Sequence, residues 1–256
     1  MEITMRLGSD PEVFLQDQAG NPVSAIGYIN ADKWNPMQIP DMPEGYTLQE
    51  DNVSLEYGVP PASSADEFVL HINNVMTKSK EYLPNLSFSK LSCIIFPESQ
   101  MNDPRAHIFG CEPDFDAWTK DVNKKPNPPH PLMRSAGGHI HVETQKDALD
   151  VIRAMDLFLG VPSVLMDDGE MRKQLYGKAG AFRAKPYGVE YRTLSNFWIF
   201  NDDLIRWVWN NTQRALDSVG VVDVSAEQER ILRSINNSDK KLAKKLVKEY
   251  DLEVLL

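Results

Sequence analysis

The chain has 256 residues, of which 42% are hydrophobic and 25% charged, with a net charge of −10. That is enough for one large domain or two small ones with a substantial core, and it excludes a chain-wide basic surface for wrapping nucleic acid. Cys93 and Cys111 have no metal-type spacing and form no disulfide framework. No run is long and apolar enough for a membrane span, and the opening MEITMRLGSDPEVFL lacks a signal-peptide core, so a cytoplasmic setting is expected.

Residues 5–16 read as a strand with a polar interruption at Ser9, Asp10 and Pro11, followed by a hairpin turn over 17–22, DQAGNP. After a Pro-rich stretch at 36–45, residues 51–58 read as a second strand. Ser63 or Ser64, ahead of Asp66 and Glu67, opens a helix over 65–82, in which Phe68, Val69, Ile72, Val75 and Met76 recur at helical spacing. Residues 88–96 read as a strand and 121–132 (DVNKKPNPPHPL) as a loop, either a plain connection or a cover for a site. Residues 134–143 (RSAGGHIHVE) read as a strand, with Thr144 placed to cap a helix running to Leu159. A strand at 188–194 precedes a helix that starts at Asn201, Asp202 and Asp203 and runs through Val219. Residues 225–250 are helical and Lys-rich. Strands without regular crossover helices predict an α+β fold with a largely antiparallel sheet.

Four segments place two polar or ionisable residues at i and i+2: Asp10 and Glu12, Glu112 and Asp114, His139 and His141, Glu190 and Arg192. On a strand such pairs project from one face. Any one pair reads as easily as a solvated strand face or a surface ion pair. Together they gather carboxylates and imidazoles on one surface, a costly arrangement unless a cation neutralises it. Oxygen ligands with one imidazole suit Mg²⁺ or Mn²⁺ better than zinc. The segment QEDNVSLEYGVPP adds Glu56 and either Glu50 or Asp51. On one continuous strand Glu50 shares a face with Glu56 while Asp51 points away, unless a bulge intervenes.

The basic segment 172–192, RKQLYGKAGAFRAKPYGVEYR, is interrupted by glycines and carries Lys178, Arg183 and Arg192. Cations opposite a carboxylate–metal cluster are what nucleotide phosphates need, although neither a P-loop nor a dinucleotide fingerprint is present.

The ordered set GSDPEVFL, QEDNVSLEYGVPPA, FGCEPDFDAW, SAGGHIHVE and YGKAGAFRAKPYGVEYRTLSNFW resembles the phage-type amidoligases, within the superfamily of glutamine synthetase and glutamate–cysteine ligase. The resemblance spans roughly residues 6–200. It implies a curved, mostly antiparallel sheet with helices on its outer face and a concave face holding ATP and Mg²⁺. Carried over, Asp10, Glu12, Glu56, His139 and Glu190 are metal-ligand candidates, with Glu56 and Glu190 also catalytic. Arg192 faces the transferred phosphoryl group, Lys178 and Arg183 are looser nucleotide contacts, and His141, Glu112 and Asp114 face the substrate. Asp10 stands where glutamine synthetases have Glu, and their N-terminal domain is missing, so neither their ring-shaped oligomer nor ammonia as the amine is implied. Other oligomers stay open.

The function expected is therefore an ATP- and Mg-dependent ligase joining a carboxylate to an amine through an acyl phosphate, its substrates small molecules, peptides or proteins. A nucleotide-free metal hydrolase and a non-catalytic protein on the same fold are the alternatives. The expected organisation is a catalytic domain over 1–220 and a helical extension over 221–256 packed on it.

Overall fold

The computed structural model describes residues 5–108 and 114–255. The strands are β1 (Arg6–Ser9), β2 (Glu12–Gln16), β3 (Pro22–Val23), β4 (Met37–Gln38), β5 (Thr47–Asp51), β6 (Ser54–Ala62), β7 (Ser87–Ser89), β8 (Cys93–Ile95), β9 (Phe115–Asp116), β10 (Met133–Ser135), β11 (Ile140–Glu143), β12 (Ala181–Lys185) and β13 (Gly188–Tyr191). The helices are α1 (Ala65–Ser79), α2 (Ala148–Met155), α3 (Val161–Met166), α4 (Asp202–Ser218), α5 (Gln228–Asn236) and α6 (Lys240–Glu249).

Eleven strands form one sheet, with β3-β2-β6-β1-β11-β13-β12-β9 as its main path, while β8 and β10 make a separate pair. All the pairings are antiparallel, the α+β arrangement that the sequence predicts. Strand alternation then sorts the residues. Leu7, Ile140, Val142, Val189 and Tyr191 are fully buried in the core. The alternate positions Gly8, His141, Glu190 and Arg183 stand side by side across β1, β11, β13 and β12. The helices cover the apolar side: α1 packs on β6, and α2 on β12 and β13.

Local chemistry sets the helix starts. Ser64 accepts from the Glu67 N–H, and Asn201 accepts from the N–H groups of Asp203 and Leu204, so both helices begin where expected. The helix predicted from Thr144 instead begins at Ala148, because Asp147 takes the N–H groups of Leu149 and Asp150. It runs on through a π-helical stretch (Asp156–Gly160) into α3.

Three predicted strands are broken. The stretch 51–58 is a hairpin, with Asp51 paired to Ser54 and Asn52 in the left-handed region at φ 58°. In 88–96 the chain leaves β7, which pairs with β2, and enters β8, which pairs with β10. In 134–143 it leaves β10 at Ala136–His139, where the Gly137 N–H goes to Glu12 Oε2 and the Gly138 N–H to the Leu194 carbonyl. The expected strand at 188–194 ends at Tyr191, and the Lys-rich region is two helices, α5 and α6, separated at Asn237–Asp239. α6 packs on α3 and α5.

Candidate functional site

The polar break between β1 and β2 positions the first two acids. Pro11 forgoes a backbone donor, its carbonyl accepts from Tyr57 N at 3.0 Å, and Glu12 N donates to the Gly137 carbonyl at 2.8 Å. Asp10 thereby stays beside β11 while Glu12 turns with β2 towards β6. Gly137 and Gly138 allow this crossing. A Cβ on Gly137 would lie 2.3 Å from His139 Nε2, and one on Gly138 would lie 2.4 Å from both the Ser195 carbonyl and Trp198 Nε1. The close backbone approach that these glycines permit is made by the chain itself.

Two triads result. Asp10, His139 and Glu190 each offer a ligand atom, and those atoms lie within 4.8 Å of one another; the same holds for Glu12, Asp51 and Glu56. The five residues expected as metal ligands therefore fall into two centres, completed by Asp51.

The choice between Glu50 and Asp51 is settled by the hairpin. Gln49 pairs with Glu56 across β5 and β6, and its Nε2 donates to Glu56 Oε2 at 2.9 Å. Odd residues of β5 therefore share the face of even residues of β6, which puts Asp51 with Glu56 and sends Glu50 the other way. Glu50 is a structural anchor. Its Oε1 accepts from the N–H groups of Gly27, Ile29 and Asn30, each at 2.9 Å, and Arg105 caps its Oε2 at 3.2 Å. The parity argument from one continuous strand failed because Asn52–Val53 turns the chain.

The two centres differ in electrostatics. Burial and the neighbouring Asp51 push Glu12 up to about 7, against the hydrogen bond from Gly137 and the charge of Arg192. Burial, with Asp10, Asp51 and Glu12, pushes Glu56 well above the usual carboxylate range, and burial also raises Asp51. This centre carries more negative charge than the protein compensates. In the other, burial and Asp10 favour a protonated Glu190, but Arg192, His139 and Arg183 outweigh them and hold it down at about 2. Burial opposes the Asp10 charge too, but His141 and His139 keep it well below its ordinary value. Burial and Arg192 lower His139 to about 4, so its imidazole is neutral, the form that ligates metal.

The cations line the β12–β13 side. Glu190 is fully buried and meets Arg192 in a short ion pair, Lys185 Nζ at 2.7 Å and Arg183 Nη1 at 3.4 Å. Arg192 also reaches His139 Nδ1 at 3.3 Å and Asp114 at 3.5 Å. Lys178 is exposed, and Thr193 Oγ1 donates to its carbonyl; Lys185 is the lysine beside Glu190. The β12–β13 register pairs Lys185 with Gly188 and Arg183 with Glu190, so Arg183 and Lys185 share the face. Glu112 lies outside the described residues, as does Cys111. His141 Nε2 lies 3.0 Å from Asp10 Oδ1, and its Nδ1 is hydrogen-bonded to the Tyr187 hydroxyl.

A supporting layer lies beneath. Asp156, fully buried in the π-helical stretch, accepts from Trp118 Nε1 (2.7 Å), Gly180 N (2.6 Å), the Tyr191 hydroxyl (2.9 Å) and Thr193 Oγ1 (3.2 Å). Tyr191 and Thr193 flank Arg192, so this one carboxylate fixes the backbone that presents the arginine. Arg172, buried behind it, donates to the Thr193 carbonyl at 2.9 Å.

The donor sets fit divalent cations. A neutral imidazole with two carboxylates, and beside it three crowded carboxylates pushed towards protonation, are what hard, oxygen-preferring ions relieve.

Among the described residues no helix is long and apolar enough to cross a membrane. Residues 130–237 match the family model described as Phage phiEco32-like COOH.NH2 ligase-type 2. This span holds His139, His141, Arg183, Lys185, Glu190 and Arg192, while Asp10, Glu12, Asp51 and Glu56 precede it. No curated protein matches the sequence.

Proposed function

We propose that this chain, which matches the carboxylate–amine ligase family over residues 130–237, joins a carboxylate to an amine at the expense of ATP, with Mg²⁺ held by the two triads. The carrying observation is the pair of adjoining triads, Asp10–His139–Glu190 and Glu12–Asp51–Glu56, flanked by Arg183, Lys185 and Arg192. The same reading takes the sheet as the curved, glutamine synthetase-type scaffold, with its helices outside.

The reaction follows from the chemistry of acids and amines. A free carboxylate is a poor electrophile at neutral pH, so it attacks the γ-phosphorus of ATP, ADP leaves, and an acyl phosphate forms. The amine, having released any ammonium proton to solvent, attacks the acyl carbon as the neutral species, and inorganic phosphate departs with the nitrogen's surplus proton, leaving an amide. Mg²⁺ supplies neutralisation of the phosphate oxygens when bound. Arg192, held by Asp114 and the Asp156 layer, stabilises charge spreading over the transferring oxygens. Arg183 and Lys185 orient the phosphates from the β12–β13 side. His139, kept neutral by burial and Arg192, is a ligand and takes no proton. The loop 121–132 is placed in the chain to exclude water from the acyl phosphate.

Calorimetric titration with ATP, with and without Mg²⁺, beside a Glu190→Ala variant, tests this. Binding that requires Mg²⁺ and is lost in the variant is expected. Metal binding by well-folded protein with no ATP binding would remove the ligase mechanism in favour of a nucleotide-free hydrolase.

A further inference from the structure

A groove of about 440 Å³ opens beside the Asp10–His139–Glu190 triad, lined by residues of β1, β6 and β11 and by Tyr187 of the β12–β13 turn. Val59 and Pro61 of β6 form its wall and Gly8 of β1 its floor. Its inner end is Asp10, His141 and Tyr187, and its mouth is Arg6 and Glu143, an exposed ion pair at 3.4 Å. The backbone at Gly8 would accept a side chain, since a Cβ there meets His141 Cβ at 3.6 Å and the Val59 carbonyl at 3.7 Å, ordinary contacts. The glycine keeps the floor low without any demand from the fold.

Charge is divided across the sheet. Arg183, Lys185 and Arg192, the partners for phosphate and carboxylate, all lie over β12 and β13. Arg6 is the one Lys or Arg lining the groove, and Glu143 engages it, while Asp10 and Glu143 place a carboxylate at each end. With Arg6 engaged by Glu143 and His141 by Asp10 and Tyr187, a substrate carboxylate meets no unengaged cation in the lining, whereas an ammonium group on an apolar body gains Asp10 at the inner end and the apolar wall along its length.

We infer that this groove is the subsite of the amine substrate, which enters as an ammonium ion with its apolar body between Val59 and Pro61 and its nitrogen towards Asp10 and His141. The assignment rests on the ligase reading for its place in the reaction, but not for the binding itself. The amine is then a primary amine on an aliphatic or aromatic body longer than ammonia, and the groove's open mouth lets that body continue into solvent.

The probes are n-hexylamine and hexanoate, which share a chain and differ in charge, titrated into the full chain by ligand-observed NMR. Hexylamine is expected to bind and hexanoate not to. Gly8→Leu, which raises the floor, is expected to weaken hexylamine at least about tenfold, and Gly8→Ala less. Circular dichroism and melting curves confirm that each variant is folded; the alanine variant keeps the test decisive if leucine disrupts the strand. Hexanoate binding as well as hexylamine, or hexylamine binding unchanged in both Gly8 variants, would overturn the assignment. Mg²⁺–ATP titrations run in parallel separate the two claims: no nucleotide binding alongside the expected amine pattern would end the ligase mechanism and leave the amine site standing.

Discussion

Replacing Glu56 by Gln should stabilise the metal-free protein at alkaline pH while weakening its response to Mg²⁺, the Asp10–His139–Glu190 triad being left intact. Glu56 shares its centre with Glu12 and Asp51, the three ligand atoms lying within 4.8 Å of one another. Two unit charges at that spacing repel by about 3 kcal/mol at an effective dielectric constant of about 20. Shared protons and water lower this, leaving a gain of about 1–2 kcal/mol for the variant. The sign depends on pH. Glu56 is held well above its unfolded value by burial and its acidic neighbours. Its favourable contribution is therefore complete below the unfolded pKa and is lost as pH rises through the folded one. Gln imitates the protonated acid and can still accept the Gln49 hydrogen bond, so the variant should match wild type in mild acid and exceed it in mild alkali. Urea denaturation in chelator near about pH 5 and about pH 9 measures both arms. Mg²⁺ at about ten times the dissociation constant of this centre should then add about 1.4 kcal/mol through it to wild type and little through it to the variant, so that wild type gains more. A stability difference independent of pH, or an equal Mg²⁺ response in the two proteins, would refute the reasoning.

Because Glu12 sits at about 7, Mg²⁺ must displace a proton there, and the rise in melting temperature that Mg²⁺ produces should be larger at about pH 8 than at about pH 6, as differential scanning fluorimetry can show. Asp156→Ala strands the buried donors Trp118 Nε1 and Gly180 N and leaves Tyr191 and Thr193 only backbone carbonyls to bond, and should cost about 3 kcal/mol or more, read from denaturant midpoints. Arg192→Lys keeps the charge but loses the planar fork shared among Glu190, His139 and Asp114; Mg²⁺–ATP affinity should fall about tenfold or more by calorimetry while the protein stays folded. Gly138→Ala places a methyl within 2.4 Å of the Ser195 carbonyl and Trp198 Nε1, and a loss of about 1–3 kcal/mol in chemical denaturation is expected.

The site was legible where it depends on strand period alone. Asp10 with Glu12, His139 with His141 and Glu190 with Arg192 are spaced by two, and the sheet brings all six to one region. Their division into two centres was not legible, because it follows from the bend at Pro11 that sends Glu12 to β6. Asp51 was hidden by a turn: Asn52 at φ 58° reverses the chain and exchanges the faces of Glu50 and Asp51. Lys185 stood in the basic segment, but only the β12–β13 register selects it over Lys178. Asp156 left a signal that went unused, a lone carboxylate in the apolar run AMDLFLG, where burial demands partners. In the fold, helix starts were readable from Ser64 and Asn201, whereas strand ends were set by distant partners such as Glu12 Oε2 taking the Gly137 N–H.

The central claim is that the two triads hold divalent ions side by side for ATP. Electron paramagnetic resonance with Mn²⁺ in place of Mg²⁺, with and without a non-hydrolysable ATP analogue, addresses it most directly. The account predicts more than one bound Mn²⁺ with the nucleotide, close enough for their spins to couple, and loss of that coupling in Glu56→Gln. A single uncoupled ion that ignores both the nucleotide and the Glu56 substitution would contradict it.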